Sequence, residues 1–304
     1  MAELLPTAPP GADETTRTLY RIMPLDDWPA PENAGPPHMR IAVLDLETEG
    51  LDPLYHQILE FSVAMVAIDA EGQILSVDGP YTGLRDPGRP IENHISKVTG
   101  ITNDMVAGQT MSAASIATFL GQADACLSFN ARFDRQHLGM LVPEVGEMSW
   151  ICAMADVPWL DLGFDGKAQN YLLAQAGMFN PVAHRAADDV ASLTNLLAHE
   201  CRDGRTVMRH ALEGAQAPSW RFEATDLPYR FRKDVFRRGY GWAHKHSLRH
   251  KLVRPAEFEA ERAWYHDLVG RDPAIVPVDW VERYRADWTW QPVKRTVEVE
   301  SWRR

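Results

Sequence analysis

Runs of apolar residues in the first part of the chain predict three consecutive strands. They cover residues 40–46, 58–68 and 73–84, and the third ends just before an Asp-Pro-Gly turn. The connections between them are short, which favours an antiparallel meander, because parallel neighbours need a longer crossover. The first run ends in acidic residues, a pattern typical of a buried strand with polar chemistry at its end.

The pattern then changes to helical spacing with one more short strand. The helices are predicted at residues 112–123, 132–141, 169–176 and 186–199, and the strand at 125–129. The last helix is the clearest, because Val190, Leu193 and Leu197 recur at helical spacing. Strands followed by alternating strand and helix predict an α/β fold, a mixed sheet flanked by helices.

Composition changes near residues 38 and 200, and these changes predict four segments. Residues 1–38 are rich in proline, which fixes the backbone and removes hydrogen-bond donors, so they form an N-terminal extension. The sheet and its helices occupy residues 39–200. Residues 201–220 form a connector, and residues 221–304 form a small appended C-terminal module rich in Trp and Arg.

The net charge of −11 by itself argues against binding nucleic acid, since phosphates usually attract a basic surface. Two features weaken that objection. Carboxylates that hold divalent cations count as negative in the sequence but are neutralised in the working site. The basic residues are also concentrated, with eight basic side chains and one acidic side chain between Arg230 and Lys251.

The remaining composition is that of an ordinary globular protein with one large domain or two. The chain has 304 residues, of which 45% are hydrophobic and 24% charged. Its three cysteines are too few and too scattered for a disulfide framework or a metal site, which predicts a reducing, cytoplasmic location. The sequence has no apolar run of about 18 residues, so we expect no membrane span.

The first acidic segment, Asp45-Leu46-Glu47-Thr48, ends the first predicted strand. Asp45 and Glu47 are two residues apart, so on a strand their side chains leave the same face. Two adjacent carboxylates repel each other unless a cation lies between them, and Mg²⁺ is held by carboxylates together with phosphate oxygens. Taken alone, the segment is better explained as a solvated strand end.

Two further segments place polar residues at the start of helices. In residues 130–134 the short strand runs into a helix, where Asn130 fits an N-cap and Asp134 can point back from the first turn to the strand ends. His184 precedes the last predicted helix, and Asp189 lies inside its first turns. Taken alone, Asp134 could be a helix-dipole acid, and His184 a surface histidine beside capping acids.

Together and in this order, the three segments resemble the DEDD (DnaQ-like) 3′→5′ exonuclease superfamily in its histidine-bearing branch. That branch includes the epsilon proofreading subunit of bacterial DNA polymerase III, ribonuclease T and oligoribonuclease. The resemblance covers about residues 39–200 and implies a ribonuclease H-like fold. The residues that match its three motifs are Asp45, Glu47, Thr48, Asn130, Phe133, Asp134, His184, Ala186 and Asp189.

This resemblance implies hydrolysis of terminal phosphodiester bonds with two Mg²⁺ or Mn²⁺ ions and release of 5′-mononucleotides. Asp45 would bridge both metals. Glu47 and Asp189 would complete the site that activates water, and Asp134 would hold the second metal largely through water. His184 would be the general base, a role that suits an imidazole because histidine ordinarily titrates near neutral pH.

The same resemblance implies a set of residues that contact the substrate: Thr48, Leu51, Phe129, Asn130 and Phe133. Packing in the core remains an equal alternative for Leu51, Phe129 and Phe133. Residues 90–102 resemble the loop that meets the terminal nucleotide. Glu49 departs from the family pattern and receives no role, and the spacing from His184 favours Asp189 over its neighbour Asp188.

Partners and substrate stay open at this point. Single-stranded DNA or RNA is the expected partner, with a polymerase or repair protein as a possible second one, while the oligomeric state is undetermined. A partner-dependent subunit, an interaction module, an RNA-specific enzyme and an inactive relic are the alternatives. The basic, aromatic segment 230–251 predicts either a platform for single strands or a small domain with an aromatic core and structural salt bridges.

Overall fold

The computed structural model describes residues 17–31, 35–182, 184–225, 227–243 and 246–286. Most of the proline-rich start and residues 287–304, with Trp288, Trp290 and Trp302, lie outside these ranges. The strands are β1 Tyr20–Arg21, β2 Met39–Thr48, β3 Ile58–Ile68, β4 Ile74–Leu84, β5 Ala125–Ser128, β6 Ser149–Cys152, β7 Met178–Phe179, β8 Ser219–Ala224, β9 Gly241–Ala243, β10 Leu248–Val253 and β11 Ala274–Val278. The α-helices are α1 Asn93–Thr99, α2 Asn103–Val106, α3 Ala113–Leu120, α4 Ala131–Leu141, α5 Ala153–Asp156, α6 Gln169–Gln175, α7 Ala186–Ala198, α8 Val207–Gln216, α9 Arg232–Arg237 and α10 Phe258–Val269.

A five-stranded sheet in the order β4-β3-β2-β5-β6 forms the centre of the first part of the chain. The three long strands pair antiparallel, whereas β5 and β6 run parallel to β2. This mixed sheet, flanked by helices, is the predicted α/β fold. The meander was correct because its strands are long and apolar, but the short strand β6 was not predicted from the sequence.

Helices cover both faces of this sheet. Ile41 and Val43 of β2 belong to a core with α6, α7 and α8, while Ala42 and Leu44 belong to a second core with α3 and α4. This alternation follows from the pleat, which points successive side chains to opposite faces. The odd-numbered face of β2 is therefore the one under α7 (Ala186–Ala198).

Two segments outside the predicted domain pack onto the same body. In the described part of the N-terminal extension, β1 pairs with β7, and Ile22 and Leu25 are buried in the core beneath α7. The segment predicted as a connector holds α8, whose Val207 and Ala211 are buried in that core. Gly214 of α8 lies so close to Asp156 that an added Cβ would stand 1.9 Å from the carbonyl oxygen of Asp156.

The C-terminal segment forms a four-stranded antiparallel sheet in the order β11-β8-β10-β9, with α9 and α10. Phe222, Tyr240, Val253 and Tyr265 form the centre of its own apolar core. The last described residues return to the first part of the chain, where Tyr284 packs in the core with α3 and α4.

Within the described ranges, none of the helices has the length and apolar character needed to cross a membrane. Cys126, Cys152 and Cys201 are all buried and free.

Candidate active site

The carboxyl end of β2 places Asp45 and Glu47 on the face of the sheet that lies under α7. They continue the odd-numbered row that begins with Ile41 and Val43, and both are only partly exposed. Burial and the surrounding carboxylates hold the pKa of Asp45 well above its usual value. Burial, followed by the charge of Asp189, raises the pKa of Glu47 to about 7.

Asp134 reaches this end of the sheet from α4, which begins directly after the neighbouring parallel strand β5. Its side chain is buried, and its Oδ1 has no hydrogen-bond partner among the described residues. Burial raises the pKa of Asp134 to about 7. Asn130 holds the N-cap position of this helix, but its side chain makes no capping hydrogen bond there and instead lines a cleft beside the C-terminal module.

His184 and Asp189 meet Glu47 at the start of α7. The ligand atoms of these three side chains all lie within 4.8 Å of one another. His184 is exposed and has a φ of 61°, a left-handed conformation that is uncommon outside glycine, and its backbone N–H donates to Asp189 Oδ2 at 3.1 Å. The tight turn into α7 therefore brings the imidazole over the carboxylates.

Asp45 and Asp134 complete the group, although they lie outside that trio. After burial, the charges of Asp134, Asp189 and Glu47 raise the pKa of Asp45, and those of Asp189 and Asp134 raise the pKa of Glu47, so these carboxylates repel one another. Burial raises the pKa of Asp189 to about 6. Crowded carboxylates and an unpartnered buried oxygen on Asp134 form a donor set that fits a hard divalent cation.

Glu60 is a fifth acidic residue at this site and was not found from the sequence. It lies on β3 opposite Glu47, and its side chain is fully buried. Arg185 donates two hydrogen bonds to its carboxylate, from Nε at 3.0 Å and Nη2 at 2.6 Å, and the backbone N–H of Ala186 donates a third at 3.0 Å. Glu60 thereby holds the turn that carries His184.

We expect Glu60→Gln to lower turnover by roughly tenfold, because one bidentate contact that orients the turn is lost while the metal-site carboxylates stay. Measurement of kcat and KM, beside the melting temperature, tests this. Glu261→Gln is the matched control, since Glu261 is also buried and bonds two basic side chains, but in the C-terminal sheet. A normal kcat in Glu60→Gln would show that Glu60 stabilises the helix but does not orient the catalytic turn.

The predicted substrate-contact residues fall into two groups. Leu51 is 84% exposed in the loop after β2, and the ring of Phe133 lies on His137 with centroids 4.3 Å apart. Phe129 instead packs against the core beneath α7. Thr48 is buried, and its hydroxyl donates to the carbonyl oxygen of Gly50 at 2.7 Å, which fixes the start of the Leu51 loop.

Two acidic neighbours of the motif residues have other partners. Glu49 forms a bidentate pair with Arg89, with contacts at 2.8 and 2.7 Å, and accepts from the backbone of Gln57. This pair joins the Leu51 loop to the loop that follows β4. Asp188 precedes Asp189 on α7 and is absent from the trio of convergent ligand atoms.

Comparison with known proteins bears on this arrangement. The RNase T exonuclease family model matches residues 42–197, about half of the chain and the part that carries all three motifs. The chain belongs to the DnaQ-like DEDD exonuclease family. This exonuclease is 26% identical over 186 residues to the DNA polymerase III subunit epsilon of Treponema pallidum, a match that covers 57% of this chain and 84% of that protein.

Two further matches cover other shares of the chain. The PolC-type DNA polymerase III of Thermotoga petrophila is 32% identical over 110 residues, or 36% of this chain, so the match spans only 8% of that polymerase. The solved structure of E. coli exonuclease I in complex with a dA16 oligonucleotide aligns with a TM-score of 0.42 at 16% identity, covering 62% of this chain and 49% of that one.

Proposed function

We propose that this protein is a 3′→5′ exonuclease that hydrolyses the terminal phosphodiester bond of single-stranded DNA and releases 5′-mononucleotides in the cytoplasm. The observation that carries the proposal is the convergence of Glu47, His184 and Asp189 at the ends of β2 and α7, beside Asp45 and Asp134. Two acidic residues on the strand, two on helices and a histidine at the turn before α7 would supply the groups that this hydrolysis needs.

Asp45, Glu47, Asp134 and Asp189 would hold two divalent cations, Mg²⁺ or Mn²⁺. When bound, the cations supply charge stabilisation for the phosphoryl oxygens and the leaving oxygen, and they lower the pKa of bound water. The pKa values of these carboxyl groups are raised because burial and mutual repulsion disfavour ionisation, and a bound cation would remove that repulsion. The chain's own contribution is to fix these oxygens on rigid strand and helix ends.

His184 would accept the proton of the attacking water. Its side chain is exposed, so it can reach a water in the cleft, and its backbone is fixed by the bond to Asp189 and by the Arg185–Glu60 pair that follows. Leu51 would pack against the terminal base, since an exposed leucine on a fixed loop offers apolar surface to a nucleobase. Phe133 and Asn130 would line the route of the nucleic-acid chain beyond the terminal base.

A cleavage assay with metal removal tests this function. We expect a 5′-labelled single-stranded DNA to shorten stepwise from its 3′ end with Mg²⁺ or Mn²⁺ and to stay intact in EDTA, because the carboxylates cannot bind a phosphate without cations. A matching RNA measures the preference between the two polymers. Shortening from the 5′ end, or cleavage that persists in EDTA, would refute the proposal.

A polymerase partner is the second candidate, favoured by the relatives that are DNA polymerase III proteins. In that case the chain would act as a proofreading subunit. Co-purification with the replicative polymerase of the same source, together with faster removal of mismatched than of paired 3′ ends in the complex, is the expected result. Full activity of the isolated chain and no complex at micromolar concentration would leave a stand-alone nuclease.

A further inference from the structure

The C-terminal module contains a concentration of basic residues in an otherwise acidic chain. Residues 230–251 contain eight basic side chains and one acidic side chain, that of Asp234, whereas the net charge of the whole chain is −11. Part of this charge is structural, since Arg238 and Lys251 both bond the buried Glu261. Arg232 and Arg237 of α9 are exposed to solvent. The exposed remainder is basic enough to attract a polyanion.

Three aromatic rings stand exposed on the same surface. Tyr229 is 81% exposed, Phe236 63% and Trp242 38%, although large aromatic side chains usually provide core. Tyr240, by contrast, is buried in the core of this sheet. The sequence-based alternatives are therefore both present: Tyr240 stabilises the small domain, and the other three rings form an open surface.

Arginine guanidinium groups alternate with these rings. Arg232 lies 5.0 Å from the ring centroid of Tyr229, and Arg249 lies 5.2 Å from Phe236 and 5.6 Å from Trp242. Arg249 and Trp242 are also direct partners across β10 and β9. Arg232, Trp242 and Arg249 line a cavity of about 330 Å³. Rings that can stack on bases thus alternate with cations that can contact phosphates.

A cleft joins this sheet to the catalytic part of the chain. The cleft, of about 260 Å³, is lined by Asn130 and Arg132 from the second motif and by Gly239 and Gly241 from the C-terminal module. Gly241 directly precedes Trp242 on β9. Because successive strand residues point to opposite faces, the cleft at Gly241 and the ring of Trp242 lie on opposite faces of the C-terminal sheet and meet at β9, its edge strand. A nucleic-acid chain that leaves the active site past Asn130 would reach Trp242 around this edge.

Buried contacts fix the position of this surface relative to the active site. Asp156, at the end of α5, accepts from Tyr284 at 2.7 Å and pairs with Arg254 and Arg283. All of these partners come from the C-terminal segment, and the side chains of Asp156 and Arg283 are fully buried. A surface held in this way keeps a constant distance from the catalytic carboxylates.

We propose that Tyr229, Phe236 and Trp242, with Arg232 and Arg249, bind the single-stranded nucleic acid upstream of its 3′ end. This inference rests on the proposed exonuclease function for the direction of the strand. The rings stack on bases and the arginines neutralise phosphates, a combination that holds single strands with little sequence preference. The surface therefore retains the substrate between successive cleavage events.

The test compares two ligands of roughly 20 nucleotides, oligo-dT and an abasic strand with the same phosphates, bound in EDTA to prevent cleavage. Fluorescence anisotropy gives the affinities. We expect Phe236→Ala to weaken oligo-dT binding roughly tenfold and to leave the abasic strand unchanged. Arg232→Ala weakens both ligands and lowers the salt dependence of binding by about one ion.

Tyr81→Ala and Arg40→Ala are the matched controls, because these exposed residues lie on β4 and β2 of the other sheet, and both should retain wild-type affinity. Melting temperatures establish that the variants are folded. Unchanged affinity of both test variants, as expected if the surface binds a protein instead, would overturn the proposal. Equal losses for both ligands in Phe236→Ala would overturn the stacking contact.

Failure of the proposed function gives a different result. Hydrolysis of the p-nitrophenyl ester of thymidine 5′-monophosphate by the wild-type protein measures the catalytic site alone, because this ester is too small to reach the C-terminal surface. If the wild-type protein binds oligo-dT as described but does not hydrolyse the ester, the proposed binding surface stands and the proposed exonuclease function is refuted.

Discussion

Asp45→Ala should reduce exonuclease activity by roughly 10³-fold or more, since a lost metal position removes several kcal/mol of transition-state stabilisation. Asp45 is central to the cluster because the charges of Asp134, Asp189 and Glu47 all act on it. Glu47→Ala and Asp189→Ala are expected to have effects of similar size. Single-turnover rates on a 5′-labelled strand at saturating Mg²⁺ provide the measurement.

The isosteric variant Asp45→Asn adds a second readout that a misfolded protein could not produce. With no metal bound, removal of one buried charge relieves repulsion, so we expect unfolding to cost roughly 0.5–2 kcal/mol more than in the wild type. That gain raises the melting temperature in EDTA by a few degrees. Asp188→Ala is the control, as its side chain lies outside the convergent trio, and it should retain activity. Near-normal turnover in Asp45→Asn would remove Asp45 from the metal site.

His184→Ala should slow turnover by roughly 10²–10⁴-fold while metal binding persists, because a general base contributes about that factor. The four carboxylates remain in this variant, so Mn²⁺ affinity measured by calorimetry should change little.

His184→Gln separates proton transfer from simple occupancy of the cleft. Glutamine fills similar space and can hydrogen-bond water but cannot accept its proton at neutral pH, so it should be about as slow as alanine. His266→Ala is the matched control, because His266 is an exposed histidine of α10 that pairs with Asp272. A His184→Gln variant with near wild-type kcat would show that His184 is not the base.

The sequence predicted the parts of the fold that depend on long apolar patterns. Strand β3, Ile58–Ile68, has the predicted bounds because it is a continuous buried run. Strand β6, Ser149–Cys152, is only four residues long and follows a short 3-10 turn, so no periodicity marks it. The C-terminal sheet was not predicted either, because charged residues interrupt the apolar pattern of its strands. Arg221 and Glu223 are examples, and they form a buried salt bridge with each other.

The structure brings the four acidic motif residues and His184 together, an arrangement that the family resemblance implied, whereas contacts between distant segments were not predictable. Glu60 and Arg185 are paired across 125 positions of sequence, and no local pattern reports such a contact. One signal was present, since Glu60 is the sole charged residue of β3, and a buried charge requires a partner. Asn130 shows the opposite case, in which a helix-start residue does not use its side chain as a cap.

The buried position of Asp156 ties the folding of one sheet to that of the other. Its partners Arg254, Arg283 and Tyr284 all come from the C-terminal segment, so loosening the C-terminal sheet would leave the buried carboxylate without its charged partners inside the exonuclease body. Loosening the body would equally leave the buried guanidinium of Arg283 without its carboxylate partner. Because opening either half would break these contacts, we expect the two cores to unfold as one cooperative unit.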